Sequence, residues 1–251
     1  MKKLIQALIV EAGLIALQYQ SRIDTVQITE KGAKDLVTEA DIAVEDHIRK
    51  KLAAATPDFG FLGEESLETL GEKSRWIVDP IDGTHSFIHG QYYWSISIAL
   101  ETEGEICLGA VYAPLLKDLY VAEKGKGALK NDQKIKTSDT SELAQAMVGT
   151  GFACLRANLK ENNLARFCRI ASRTMDQRRF GSAALDCCLV GDGQLDAFWE
   201  QQLNLYDVAA GALIAAEAGA TVTDFSGRPG LNPQAVLITN GRVLAELLEL
   251  M

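Results

Sequence analysis

Trp76-Ile77-Val78-Asp79-Pro80-Ile81-Asp82-Gly83-Thr84 sets an apolar run against two carboxylates that flank a proline, followed by a glycine and a hydroxyl. Trp76 to Asp79 reads as a short buried strand that delivers Asp79 to its tip. Pro80 fixes one backbone dihedral and lacks an N–H, so the turn after the strand is stiff. Such a turn can present Asp79, the Ile81 carbonyl and Asp82 toward one point, and these are hard oxygen donors of the type magnesium selects. Gly83 lets an anion come close to the backbone, and Thr84 opens what reads as a helix, whose free N–H groups favour negative charge. Asp-Pro-x-Asp-Gly taken alone suits an ordinary surface turn equally well.

Upstream of this run the pattern gives a helix from about Lys3 to Tyr19. A second follows from Thr38 to about Ala54, with Ile42, Val44, His47, Ile48 and Leu52 at helical spacing and Thr38 and Asp41 at its start. Downstream, Ser95 to Leu100, Ile106 to Tyr112 and Leu119 to Ala122 read as an antiparallel meander, and Gly125 to Gly127 as a further turn. The later chain alternates. Helices are expected around Asn163 to Arg173, Ser182 to Val190, Asp207 to Glu217 and from Gly241, and strands near Gln177, from Leu195 to Trp199, to Val222 and from Ala235 to Ile238. We expect one compact α+β unit, residues 1–145 forming an α+β half and 146–251 an α/β half. Helix layers would sandwich an antiparallel-rich first sheet and a smaller mixed second sheet, with the site where the halves meet. No repeat, low-complexity segment or linker divides the chain.

With 251 residues, 47% of them hydrophobic, the chain can bury a sizeable core without disulfides or metals. Its 25 basic and 34 acidic side chains leave a net charge of −9, which repels phosphate backbones and anionic lipid heads. Nucleic acid and membrane are therefore not expected partners. Leu4 to Tyr19 is interrupted by Gln6 and Glu11 and reads as an amphipathic helix, neither a signal sequence nor a membrane span. Cys107, Cys154, Cys168, Cys187 and Cys188 form no CxxC pair and lie in apolar runs, so reduced, buried thiols in a cytoplasm are expected.

Several carboxylates elsewhere have two readings each. Gly63-Glu64-Glu65-Ser66 offers Glu64 to a metal cluster, or forms a solvated acidic loop. In the run Lys34 to Asp41, acids surround a helix start, which capping explains. Asp207 in Leu205-Tyr206-Asp207-Val208-Ala209-Ala210-Gly211 sits in the first turn of a small-sided, tightly packing helix, as a cap or as a ligand.

Together these segments resemble the inositol monophosphatase family of magnesium-dependent, lithium-sensitive phosphomonoesterases. The match runs through Asp35-Leu-Val-Thr-Glu-Ala-Asp41, Gly63-Glu-Glu-Ser66, Trp76 to Thr84, and Asp207-Val-Ala-Ala-Gly211 leading into Glu217-Ala-Gly219. Gly109-Ala-Val-Tyr112, Gly125-Lys-Gly-Ala128 and Gly181-Ser-Ala-Ala184 extend it over nearly the whole chain. The resemblance implies a layered α-β-α-β-α sandwich of the sugar-phosphatase type, a homodimer, and two or three magnesium ions. Glu64, Asp79 and the Ile81 carbonyl would hold one ion, and Asp79, Asp82 and Asp207 a second. Glu64 and Thr84 would orient and deprotonate water, and the Gly83 and Thr84 amides would cradle phosphate. Asp41 would help to keep a further ion or its water in place. On the substrate side it implies Asp82, Gly181, Ser182, Ala183, Glu200 and Asp207.

His85-Ser86-Phe87 departs from the family's usual Asn before Phe; the Ser is reminiscent of histidinol-phosphate phosphatases. Tyr206 stands where Trp is common and Ala220 where Gly is common. These departures bear on specificity and remove no ligand. The expected substrate is a small phosphorylated polyol, sugar or related metabolite, with inositol 1-phosphate first. Histidinol phosphate, fructose 1,6-bisphosphate and adenosine 3',5'-bisphosphate are alternatives, and a non-catalytic partner-binding protein is the reading from a different class. His85 and His89 share a helical spacing but lack an HExxH pattern, so packing or a substrate contact is expected. His47, in Glu45-Asp46-His47, is placed on a mostly solvated helix face. Arg178 and Arg179 either close the anion site or pair with surface acids.

Overall fold

The computed structural model describes residues 1–32 and 35–251; Lys34 and the Asp35 side chain, which open the run before the second helix, lie outside the described residues. Helix α1 (Lys2–Gln20) is followed by a β1 (Ile28–Gly32), β2 (Asp35–Thr38) hairpin and by α2 (Glu39–Ala55). The buried face of α2 is Val44, Ile48 and Leu52 together with Asp41 and Glu45, whereas Ile42 is 53% exposed. His47, expected on a mostly solvated helix face, is half-buried. It lies against Glu11 of α1 at 3.2 Å, while Glu45 points inward.

Strands β3 (Gly60–Gly63), β4 (Ser74–Asp82), β5 (Ser95–Thr102), β6 (Glu105–Ala113), β7 (Asp118–Glu123), β8 (Ala128–Lys130) and β9 (Gln133–Lys134) form a seven-stranded sheet in sequence order, with the short helix α3 (Thr84–Ile88) between β4 and β5. Only the β3–β4 pair is parallel. Helices α1 and α2 cover one face: Ile5, Leu8 and Ile48 pack with Trp76, Val78 and Ile98.

The second sheet is built from β10 (Met147–Thr150), β11 (Asp176–Arg178), β12 (Ala197–Gln201), β13 (Thr221–Thr223) and β14 (Ala235–Thr239), ordered β11-β10-β12-β14-β13. It is mixed, as expected: β10 runs parallel to β11 and β12, and β14 antiparallel to β12 and β13. Helices α4 (Ala153–Arg156), α5 (Leu164–Ala171), α6 (Ala183–Gly191), α7 (Leu205–Glu217) and α8 (Leu244–Leu248) complete the chain. The α6–α7 pair fills the space between the sheets, where Ala184, Leu185 and Ala212 meet Val111 of the first and Phe198 of the second. On the far side, Ile170 and Leu247 cover Val148 and Trp199. The layers run α-β-α-β-α.

Close approach in the central layer depends on small residues. A Cβ on Gly211 would lie 2.6 Å from the Ala184 carbonyl, and one on Gly109 3.0 Å from the Ala210 backbone. The α7 C-terminus is tied to the first sheet by Glu217, whose carboxylate accepts the Gly125 and Gly127 amides at 2.7 and 2.8 Å. Two charge-assisted bonds of this kind are lost together in Glu217→Ala. The variant is expected to be about 1.5–3 kcal/mol less stable by urea unfolding, less than twice the worth of one bond to a charged group because Glu217 is partly exposed and water replaces part of both bonds, with the site intact.

Some boundaries move for identifiable reasons. The strand expected from Leu195 begins at Ala197, because the Gln194 and Leu195 amides are taken by the Leu189 carbonyl at the end of α6. The closing helix starts at Leu244 because Asn240 Oδ1 accepts from Arg242 and Val243 and holds a turn there. Of the five thiols, Cys154, Cys187 and Cys188 are buried, but Cys168 is exposed on α5. Among the described residues no helix is long and apolar enough to cross a membrane.

Candidate active site

Strand β4 does not end at Asp79. It carries a bulge in which Asp79 pairs with Ser97 and Asp82 with Ser95, three residues against two. Pro80, with no N–H to give the ladder, sits inside the bulge, and bulges re-aim side chains. Asp79 Oδ1 accepts the Ile81 amide at 3.0 Å, which folds the turn back on itself. Gly83 follows with φ 102°, a conformation that glycine adopts without strain, and the Thr84 hydroxyl donates to the Ile81 carbonyl at 3.2 Å.

Two helices bring acids to this turn through the same device. Thr38 caps α2, and Asp41, three residues on, accepts the Thr38 amide at 2.8 Å and hydroxyl at 2.6 Å through Oδ2. Asn204 caps α7, and Asp207 accepts its amide at 2.6 Å, also through Oδ2. Each capping box occupies one oxygen at the helix end and directs the carboxylate into the site. Asp41 Oδ1, 3.4 Å from the Thr84 hydroxyl, is the alternative acceptor for the single proton that the Ile81 carbonyl takes at 3.2 Å. Capping and membership of the cluster are thus compatible readings of Asp207, whereas Asp41 reaches the site through Thr84.

Oxygens of Asp79, Asp82 and Asp207 all lie within 4.8 Å of one another. Glu64, half-buried in the loop after β3, lines the same cavity as these three, Ile81, Gly83, Thr84 and His85. Burial and the charges of Glu64, Asp82, Asp207 and Asp41 push Asp79 well above the usual carboxylate range. Burial raises Asp82 to about 6, against hydrogen bonds from Ser182 and the α6 amides and the charge of Arg156. Burial and the charge of Asp82 raise Asp207 to about 7. Carboxylates this close resist full ionisation without a cation. The cluster therefore fits a hard divalent ion, and the neighbouring glycine turn and helix start leave room beside it for an anion.

A second chamber opens from the first into the other half. Ser182 is fully buried, caps α6, and donates to Asp82 at 2.7 Å, so its hydroxyl supports that carboxylate. Ala183 and Gly181 line the chamber with Glu200, whose carboxylate accepts the Ala153 amide at 2.9 Å. Burial lifts Glu200 to about 7, opposed by that bond and by Arg156. Room for Glu200 exists because position 151 is glycine; a Cβ there would lie 2.0 Å from its oxygen.

Arg178 and Arg179 separate: Arg178 pairs with Asp176, and Arg179 lines both chambers. His85 lines the cavity, and His89 is exposed at the end of α3. Sequence reasoning missed Arg156, also at both chambers, and Asp186, which lines the second and accepts from Tyr93 at 2.7 Å. Neither stands in a patterned stretch that would have marked it.

Comparison with known proteins agrees with this geometry. A sequence profile of the inositol monophosphatase family matches residues 1–250. An inositol-1-monophosphatase of Mesorhizobium japonicum is 37% identical over 228 residues, 90% of this chain and 86% of the relative. A protein described as a putative Nus factor SuhB, from Neisseria meningitidis serogroup B, is 37% identical over 242 residues, 95% of this chain and 93% of the relative. The crystal structure of the extragenic suppressor protein suhB from Bartonella henselae superposes with a TM-score of 0.93 at 35% identity, covering 99% of this chain and 96% of that one. With the profile spanning residues 1–250 and the layered fold shared, the chain belongs to the inositol monophosphatase family and is a phosphomonoester hydrolase.

Proposed function

We propose that the chain hydrolyses a small phosphate monoester, inositol 1-phosphate first, with magnesium as its metal. The observation that carries the reading is the cluster of Asp79, Asp82 and Asp207, within 4.8 Å of one another and next to the Gly83–Thr84 turn. In this reading Glu64, Asp79 and the Ile81 carbonyl hold one ion, Asp79, Asp82 and Asp207 hold a second, and Asp41 helps to keep a third or its water. Bound magnesium supplies the positive charge that both the carboxylates and the phosphoryl group need, and makes water a better nucleophile. The Gly83 and Thr84 amides cradle the phosphate. Thr84, its hydroxyl held between Asp41 and the Ile81 carbonyl, orients the attacking water, and Glu64 takes its proton. No covalent phosphoenzyme is needed.

Residues 1–145 supply most of the metal ligands and 146–251 most of the leaving-alcohol contacts, through Gly181, Ser182, Ala183, Glu200 and Asp207. Asp82, bonded to the start of α6, joins the two halves. We place the enzyme in the cytoplasm, where its five free thiols suit a reducing compartment, and take it as a homodimer by its family. Specificity is tested by phosphate release from inositol 1-phosphate, histidinol phosphate, fructose 1,6-bisphosphate and adenosine 3',5'-bisphosphate in parallel. Inositol 1-phosphate is expected to show the largest kcat/KM. Glu200→Gln should lower it about tenfold, the worth of one leaving-alcohol contact; preference for another of the four overturns the substrate assignment.

Relatives described as Nus factors SuhB favour one further reading, a non-catalytic partner-binding role. An Asp79→Asn variant that keeps full cellular function would support that role, and loss of function would support the enzymatic one.

A further inference from the structure

Helix α2 presents two carboxylates four residues apart on one face, Asp41 at 1% exposure and Glu45 at 2%, among Val44, Ile48 and Leu52. A buried carboxylate in apolar surroundings is costly unless it is bonded. Asp41 is accounted for by the capping box and Thr84. Glu45 has no such role in the helix; its Oε2 accepts the Glu65 amide at 2.9 Å, across twenty residues of sequence. Its other contact is steric. A Cβ on Gly63 would lie 2.4, 2.5 and 2.7 Å from Oε2, Cδ and Oε1 of Glu45. Gly63 does not have a positive φ, so the backbone itself does not demand glycine there. The Glu45 carboxylate does.

Glu45 therefore grips the chain on both sides of Glu64, at the Gly63 Cα and at the Glu65 N–H. We propose that Glu45 is a positioning residue: its buried carboxylate fixes the backbone of residues 63–65 and so aims Glu64 at the cluster of Asp79, Asp82 and Asp207. Asp41, one helical turn earlier, holds Thr84, so α2 sets both water-handling groups in a common register. The inference rests on the reading of Glu64 as metal ligand and base, and the closing experiment separates the two.

The experiment compares Glu45→Ala, Glu45→Gln, Gly63→Ala and the double variant Glu45→Ala/Gly63→Ala. Misplacement by about 1 Å costs up to about a hundredfold. Glu45→Ala is expected to lower kcat ten- to a hundredfold with KM changed less than about threefold, since the phosphate turn and second chamber are untouched. It should weaken magnesium binding measured calorimetrically without substrate and speed hydrogen exchange at the Glu65 amide about tenfold. Glu45→Gln, which keeps an acceptor oxygen, should recover most of each property. Gly63→Ala should lower both melting temperature and kcat in the wild-type background and add nothing once residue 45 is alanine, because the clash has gone.

Unchanged Glu65 exchange and magnesium affinity in Glu45→Ala overturn the proposal, as does an additive Gly63→Ala effect. If Glu45→Ala fails to fold, Glu45→Gln and Gly63→Ala decide it: the proposal then requires Gly63→Ala to lose magnesium affinity and Glu45→Gln to retain it. If the wild type hydrolyses no phosphate ester, the proposed function fails, and Glu65 exchange with the melting-temperature cycle still decides whether Glu45 fixes the loop.

Discussion

Asp79→Asn is expected to lower kcat/KM by at least about a thousandfold while leaving a folded protein whose metal-free form is as stable as the wild type or more so. The loss follows from the position of Asp79: one of its oxygens lies within 4.8 Å of an oxygen of Asp82 and one of Asp207, and Glu64 is near enough for its charge to push the Asp79 carboxyl up. Removing the charge that holds a catalytic cation forfeits several kcal/mol of transition-state stabilisation, and each 1.36 kcal/mol is a factor of ten. The retained fold has its own reason. The amide oxygen of asparagine can still accept the Ile81 N–H that shapes the turn, and the substitution relieves repulsion in a site where burial and four neighbouring acids already disfavour the carboxylate. Steady-state kinetics and thermal unfolding of chelator-treated protein check both halves. A variant that unfolds, or one with wild-type turnover, would contradict the account.

The second large effect is a dependence of stability on pH that magnesium reverses. Asp82 near 6, Asp207 near 7 and Glu200 near 7 are all carboxyls raised by burial above their unfolded values. The stability they contribute is complete below about pH 4 and is lost as pH rises through 6 and 7, because the unfolded chain releases these protons more readily. Metal-free protein is therefore expected to melt at lower temperature at pH 8 than at pH 5.5. In the proposed function magnesium binds the ionised carboxylates and competes with the protons, so its stabilisation should grow over the same window. At a hundred times its dissociation constant a ligand adds about 2.7 kcal/mol, roughly 5–10 °C for a chain of this size. That increment should appear at pH 8 and be nearly absent at pH 5.5. Equal magnesium shifts at both pH values would contradict the assignment of the metal to these carboxylates.

Much of this was legible in the sequence, for physical reasons that differ between elements. α1, α2 and the β5–β7 meander carry a clear period over many residues, and an amphipathic element repeats its signal; α7, buried at every position from Val208 to Ala215, has no such period and was read from its small side chains and leading acid. Gly60–Gly63 and Met147–Thr150 are four-residue strands, the first with two glycines, and they exist because a neighbouring strand pairs with them. Such short segments have no period to read. Asp79 and Asp82 were legible as candidate oxygen donors from their proline-stiffened turn, but Asp207 joined them only through the family resemblance, because an acid at the head of a small-sided helix reads equally as a cap. Arg156, Asp186 and Glu45 were not legible. Each is a single charged residue whose importance comes from what lies opposite it in space. Glu45 in particular stands beside Asp46 and His47 in a stretch that reads as solvated, and its burial, its bond to the Glu65 amide and the approach of Gly63 show that it points inward.

The most direct test of the central claim is release of inorganic phosphate from inositol 1-phosphate by chelator-treated protein as magnesium is added back, with Asp79→Asn as the blank. The account predicts no release without the metal, a saturable rise in the millimolar range or below, and no rise with the variant. Release that is independent of magnesium, or none above the blank from a folded protein, would contradict it.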